Sequence, residues 1–342
     1  MTRVATHGNY QSALLSLMNA QGRAQQAQER IDSEKIATDM SGYGRGAEQL
    51  TSLTSTQARL EGFISTGEAV KARLSAQDLA MSRIYEGGNA AREAIANSLA
   101  AGRIDNLMVE LGLNYQTVQG GLNAEHQGSY LFAGGQSDIA PATAATMADL
   151  TAAPSTAATF ANDTLKQKSR IDEKTTVETG FLASEIGGPL TEVFRNIQAF
   201  QNGTAVTVGG VTYTPAGAGT LTGQPDANVT AFLKAQMGEL DKANAGLTNQ
   251  TAKNGLIQNH VETALDAQEN QKTALQKMMQ DKSGYDPARA ITDLQMAQVA
   301  IEASAQIINS LKSTSLLNLL RLVIVSKKKT ATLDQTSFWN VP

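Results

Sequence analysis

The side chains best suited to acid–base or metal chemistry are three histidines, His7, His126 and His260. Imidazole titrates nearest neutrality and is the commonest metal ligand. The three are far apart, share no ligand spacing, and no His-Glu-x-x-His is present. His126 follows Glu125, but neighbours on a helix do not face each other, so a solvated histidine is expected. Gly42–Gly46 lacks the Lys-Ser/Thr ending of a phosphate loop and reads as a helix break. In Gly217-Ala218-Gly219-Thr220-Leu221-Thr222-Gly223 the third glycine comes one place late for a dinucleotide fingerprint. No Gly-x-Ser-x-Gly elbow occurs. With no cysteine, disulfides and thiolate metal sites are excluded. Carboxylates are interspersed with Lys, Arg and Gln at helical spacings, as on solvated faces. The sequence therefore predicts no catalytic residue, no metal ligand, no cofactor and no enzyme. Met278, Met279 and Met296 fit core packing on the last two helices better than a soft partner surface.

Composition narrows the class further. The chain has 342 residues, room for two or three domains, yet only 5% are aromatic. Such a chain builds long helices around a thin core. A net charge of −4 without basic excess argues against a nucleic-acid partner. No run of about 18 apolar residues exists, so no membrane insertion is expected. The first thirty residues hold no signal-type apolar run, since 13–18 is short and interrupted by Ser16. An extracellular location would require export without a cleaved signal.

The elements that dominate the chain lie at its two ends. Tyr10, Ala13, Leu17, Ala20, Ala24, Ala27 and Ile31 alternate by three and four residues, a heptad seam. Ile291, Leu294, Ala297, Ile301, Ala305, Ile308 and Leu311 form a second. Neither buries its apolar stripe alone, so the termini pair with each other or with neighbouring copies.

Between the ends, the pattern predicts a first helix over 8–35. A second helical run spans 47–119, its stripe continuing through Ile95, Leu99, Ile104, Leu107 and Leu111, with Gly87-Gly88 as a kink and Gly120-Gly121 as its end. Residues 137–164 carry no period. A strand near Thr175–Glu178, a helix over Leu190–Phe200 and a hairpin over Val206–Tyr213 around Gly209-Gly210 follow. Helix returns from Asp226 to Met279, with breaks. Asp286-Pro287 is a helix start with Asp as N-cap.

These residues resemble the bacterial flagellin superfamily and, within it, the type-three hook-associated proteins that form the hook–filament junction. The resemblance rests on the N-terminal heptad helix with its polar break at Lys35–Gly42. It rests also on Asn123-Ala124 followed by Tyr130, Leu131, Phe132, Ala133 and Gly134, similar to a Gly-x-Tyr-Leu-Phe-(Ser/Ala)-Gly signature. The last element is Asp286–Ile291 through Ser315–Arg321, similar to the flagellin C-terminal helix. It covers about residues 1–135 and 226–321. The start-of-loop Pro-x-Asp-Asp-Pro-like run is missing, and residues 322–342 depart from the pattern and are assigned no function.

The resemblance implies a mainly α, elongated antiparallel helical rod built from the N- and C-terminal segments, with a small β-containing insert. Its parts would be 1–46, an assembly helix and break; 47–136, rod helices; and 137–225, an outward-facing α+β or β insert. Then come 226–285, returning helices; 286–321, the C-terminal assembly helix; and 322–342, an atypical tail outside the pattern. It implies a structural subunit of the extracellular flagellum, exported unfolded, joining hook to filament by coiled-coil self-assembly. The expected partners are other copies of itself, a neighbouring hook-associated protein, flagellin and an export chaperone. The alternatives are a filament flagellin, or a flagellin-like surface protein that binds polysaccharide through the insert.

Overall fold

The computed structural model describes residues 2–37, 43–44 and 46–333, with side-chain surroundings for 8–37, 43–44, 46–282 and 284–313. Seven helices carry the described residues. They are α1 (Thr2–Ser33), α2 (Ala47–Ala101), α3 (Leu107–Leu122), α4 (Met147–Ala152), α5 (Ala183–Gln201), α6 (Ala227–Ser283) and α7 (Pro287–Leu333). Three two-stranded antiparallel hairpins complete them: β1 (Glu125–His126) with β2 (Ser129–Tyr130), β3 (Lys168–Arg170) with β4 (Thr176–Glu178), and β5 (Val206–Val208) with β6 (Val211–Tyr213). The chain divides into two compact units, residues 1–57 with 274–342, and residues 58–273.

In the first unit α1 and α7 run antiparallel. Arg30 pairs with Asp293 at 3.8 Å, and Ile36 reaches Gly284. The buried positions are seven apart on both helices: Ala13, Ala20 and Ala27 on α1, and Ala290, Ala297 and Ser304 on α7. A seven-residue step returns to nearly the same face of a helix, so small side chains there let the backbones approach closely. Asp286 starts α7 by accepting the N–H groups of Ala288 (2.9 Å) and Arg289 (3.2 Å). Its carboxylate satisfies donors that have no partner within the helix.

The second unit is built on α2 and α6, also antiparallel. Lys71 pairs with Glu262 and Arg92 with Asp241, so positions rise along α2 as they fall along α6. α6 has no break. The helix expected over 47–119 is two helices. Gly102 takes φ 67°, the chain reverses, and Ile104 N–H bonds the carbonyl of Gly223 at 2.9 Å. α3 then returns along α2. α2 runs unbroken through Gly87-Gly88, where the glycines serve packing. A Cβ on Gly87 would lie 2.7 Å from Val118 and 2.9 Å from the carbonyl oxygen of Asn114, and one on Gly88 would collide with Asn244. Gly121 likewise admits Ile84.

A large apolar core fills most of this unit, with a smaller cluster of Val70, Leu74, Ile171 and Val261 beside it. Phe200 stacks on Phe232 with ring centroids 4.0 Å apart, and Tyr115 meets Phe194 edge-on at 5.4 Å. The segment expected as an insert contributes Met147, Leu150, Leu190, Ile197 and Val206 to the same core as Met81 and Leu111. Two hairpins turn through paired residues with positive φ, Gln127-Gly128 and Gly209-Gly210, the pattern that follows strand twist.

Candidate assembly surface

The fully buried positions of the α1–α7 pair are small, while a set of larger apolar side chains on the same two helices is exposed. Leu14, Leu15 and Met18 lie on the side of α1 away from Ala13, Ala20 and Ala27, with Leu15 64% exposed. On α7, Met296, Val299 and Ile307 stand off the buried stripe, and Val299 is 65% exposed. With Ala303 they repeat at three, four and four residues, a second helical stripe beside the first. Lone exposed apolar residues are ordinary, whereas a contiguous periodic set marks a surface that associates.

The sequence-predicted seam residues divide as follows. On α1, Ala13, Ala20 and Ala27 are buried, flanked by half-buried Tyr10, Leu17, Ala24 and Ile31. On α7, Ala297 is buried and Leu294, Ile301, Ala305, Ile308 and Leu311 are half-buried. Ile291 is 48% exposed; Ala290 takes its place, one residue earlier, where a small side chain fits the close helix contact. The two stripes meet each other within one chain. The core-packing expectation for Met278 and Met296 is also corrected, since both side chains point outward. The signal for the outer set was present in the sequence as Leu14-Leu15-x-x-Met18 and the 296–299–303–307 repeat.

The signature stretch Tyr130–Gly134 lies in the second unit and acts as a plug. Leu131, Phe132 and Ala133 are buried. Its backbone is held on three sides: Leu131 N–H donates to Ala124 O at 2.9 Å, Arg73 donates to Leu131 O at 3.3 Å, and Ala183 N–H donates to Phe132 O at 2.9 Å. Gly134 takes φ 73° against Asp163, where a Cβ would collide. The Tyr130 hydroxyl, bonded to Glu125, is held above the usual phenol range. Asn123 closes the plug. Its amide donates to Ala142 O at 2.9 Å and accepts from Ala142 N–H at 2.8 Å, as a paired strand residue would.

The remaining candidates for chemistry are spread apart. His126 sits half-buried in the β1–β2 hairpin, not on a helix, and His260 is exposed on α6. His7 and the signature end Ser315–Arg321 lie outside the residues whose side chains are described, as do 38–42 of the polar break. The tail 334–342 lies outside the described residues. Among the described residues no cluster of three or more histidines and carboxylates could hold a metal. The glycine-rich 217–223 closes a loop: Gly223 N–H donates to Asp105 at 2.9 Å and holds that carboxyl below its ordinary value. No described helix is long and apolar enough to cross a membrane.

Residues 237–320 match the family of the bacterial flagellin C-terminal helical region. Among solved structures, a protein from Vibrio parahaemolyticus described as a putative flagellar hook-associated protein is similar at TM-score 0.55 and 17% identity, over 70% of this chain and 97% of that one. Bacillus cereus FlgL is similar at TM-score 0.50 and 16% identity, over 67% of this chain and 99% of that one. No curated protein matches in sequence. The chain thus carries a flagellin-type C-terminal helical region within a fold shared with flagellar hook-associated proteins.

Proposed function

We propose that this chain is a structural subunit of the bacterial flagellum, assembling with its own copies at the junction between hook and filament. The observation that carries this is the inverted α1–α7 pair, alanine inside and Leu15, Met18, Met296 and Val299 outside. A fully buried leucine or methionine contributes about 1.5–3 kcal/mol, and here that gain is available only when a neighbour covers it. The flagellin-type region over 237–320 and the shared fold support the same reading. Copies of the chain, a neighbouring hook-associated protein and flagellin are the partners it calls for, and export through the flagellar apparatus, held unfolded by a chaperone, is the route.

The test is Leu15→Asp combined with Val299→Asp. Both sites are exposed, so the monomer should keep its helicity and melt within about 0.5 kcal/mol of the parent. A charge desolvated between copies costs several kcal/mol, so export should persist while junctions fail to form. Electron micrographs of hooks carrying filaments in a strain with this variant would sink the proposal. Copy number separates the junction role from that of a filament subunit: filaments built mainly of this chain would assign it to the filament.

A further inference from the structure

We propose that a basic cleft between α2 and β3, wholly within the second unit and independent of the assembly surface, binds phosphate-type oxyanions. The cleft holds about 530 Å3. Arg59, Phe63 and Thr66 line one side at helical spacing, and Lys168, Ser169 and Arg170 line the other. Three cations and no carboxylate form its walls, in a chain whose net charge is −4. The nearest acids approach from outside: Glu173 reaches Arg59 at 3.6 Å, Asp172 lies close enough to interact with Arg170, and Glu178 stands opposite Lys168 in the hairpin register.

The hairpin that presents two of these cations is pinned. Ile171 is buried with Val70, Leu74 and Val261, and Gln268 donates to its carbonyl at 2.6 Å. Arg170 donates to the carbonyls of Asp172 and Glu173 and lies 5.9 Å over the Phe63 ring. Its guanidinium is therefore oriented before any ligand arrives, which lowers the ordering cost of binding. One arginine fork satisfies a carboxylate's two oxygens. Three cations around one cleft, Arg59, Lys168 and Arg170, instead match a group with about two charges and three acceptor oxygens, a phosphate; the nearby hydroxyls are already engaged, Thr66 with Gly62 O at 2.9 Å and Ser169 with the Thr179 hydroxyl at 3.4 Å. A soluble phosphate ester and a phospholipid headgroup both supply that chemistry.

The experiment titrates isotopically labelled full-length chain at low salt with inorganic phosphate, with glucose 6-phosphate, and with vesicles of phosphatidylglycerol. Chloride at matched ionic strength and phosphatidylcholine vesicles are the controls. Saturable amide shifts confined to residues 59–66 and 168–170, lost as salt is raised, are expected. Response to the soluble compounds assigns a free phosphate source, and response to anionic vesicles alone assigns a headgroup. A Cβ at Gly62 meets nothing within 4 Å, so Gly62→Glu places an anion in the cleft without a clash. It should weaken binding at least tenfold without lowering the melting temperature, since it also removes a helix-interior glycine. Lys168→Gln, at an exposed position, is the second variant and should weaken it severalfold. Shifts no larger than those with chloride, or parent-like affinity in both variants, would overturn the proposal.

Discussion

Where the second unit buries Phe132, Phe194, Phe200 and Phe232, the first buries Ala13, Ala20, Ala27, Ala290 and Ala297 between α1 and α7, with Leu50 and Leu275 its only larger buried apolar side chains among the described residues. Both are made of antiparallel helices, so the difference lies in side-chain volume. Burial stabilises by about 25 cal/mol per Å2 of apolar surface, and an alanine methyl removes little of it. Ordering each backbone residue costs about 1–2 kcal/mol in either unit. The second unit offsets that cost from its own interior. The first unit leaves its leucine, methionine and valine surface uncovered, so its stability depends on what it meets. A division of this kind lets one chain hold a fixed body and an association-dependent end.

The largest expected effect tests that contrast directly. Phe194 is fully buried against Tyr115. Phe194→Ala should destabilise the chain by about 3–5 kcal/mol, through lost transfer energy and the cavity left behind. Leu15→Ala removes a large side chain from the first unit but empties no interior, and should move stability by less than about 0.5 kcal/mol in dilute chain. Denaturant melts of the two variants measure both. Equal losses would mean that the first unit is buttressed within the monomer and that the contrast fails.

Glycines sharpen it at the next scale. In the second unit, Gly87→Ala forces a methyl against Val118 and a backbone carbonyl of α3, and should cost about 1–3 kcal/mol. In the first unit a Cβ at Gly22 meets nothing within 4 Å. Gly22→Ala there relieves only the helix-interior penalty of glycine and should stabilise by about 0.5–1 kcal/mol. Paired thermal melts give the two signs. A destabilising Gly22→Ala would show that α1 is packed on a side where the structure leaves it open.

The same glycines show where sequence reading stops. The α1 seam was legible because apolar side chains alternating by three and four residues return to one face of a helix. Asp286-Pro287 was legible because capping is local chemistry. The packing role of Gly87-Gly88 was hidden because a sequence does not display which partner approaches. The reversal at Gly102 was hidden because Ile104, Leu107 and Leu111 continue the stripe of α2 in phase, and only the chain's route tells them apart. Hydrophobicity points to Ile291 as the seam residue, whereas a close helix contact favours the smaller Ala290. Least visible were the polar residues of the interior. Gln77 donates to Thr179 O at 3.1 Å and Asn254 to Leu74 O at 2.9 Å, both fully buried. Nothing in a glutamine's neighbours along the chain announces such a role. The outer stripe of α7 was legible in its spacing but was passed over for the stronger one beside it.

The smallest expected effect is a response to acid in the second unit. Three of its carboxyls lie below their ordinary value of 3.8. Asp149 is held there first by the Thr146 hydroxyl and then by backbone N–H in the capping box of α4, Asp172 first by the N–H of Lys174, and Asp105 first by the N–H of Gly223. A depressed folded value means that the ionised form is bound more tightly in the folded chain. The stabilisation is complete above the unfolded value, from about pH 5 upward, and is lost as pH falls through the depressed one. All three carboxyls are solvent-exposed, so screening keeps each contribution small. The melting temperature should therefore be flat from about pH 7 to 5 and decline below about pH 4. Asp149→Asn keeps an acceptor for the N–H and hydroxyl of Thr146 but removes the charge, so it should lower the plateau slightly and flatten the decline. Circular dichroism melts across that range decide it. A variant whose acid slope matches the parent's would show that the α4 cap does not couple protonation to folding, and that acid acts on this unit through other groups.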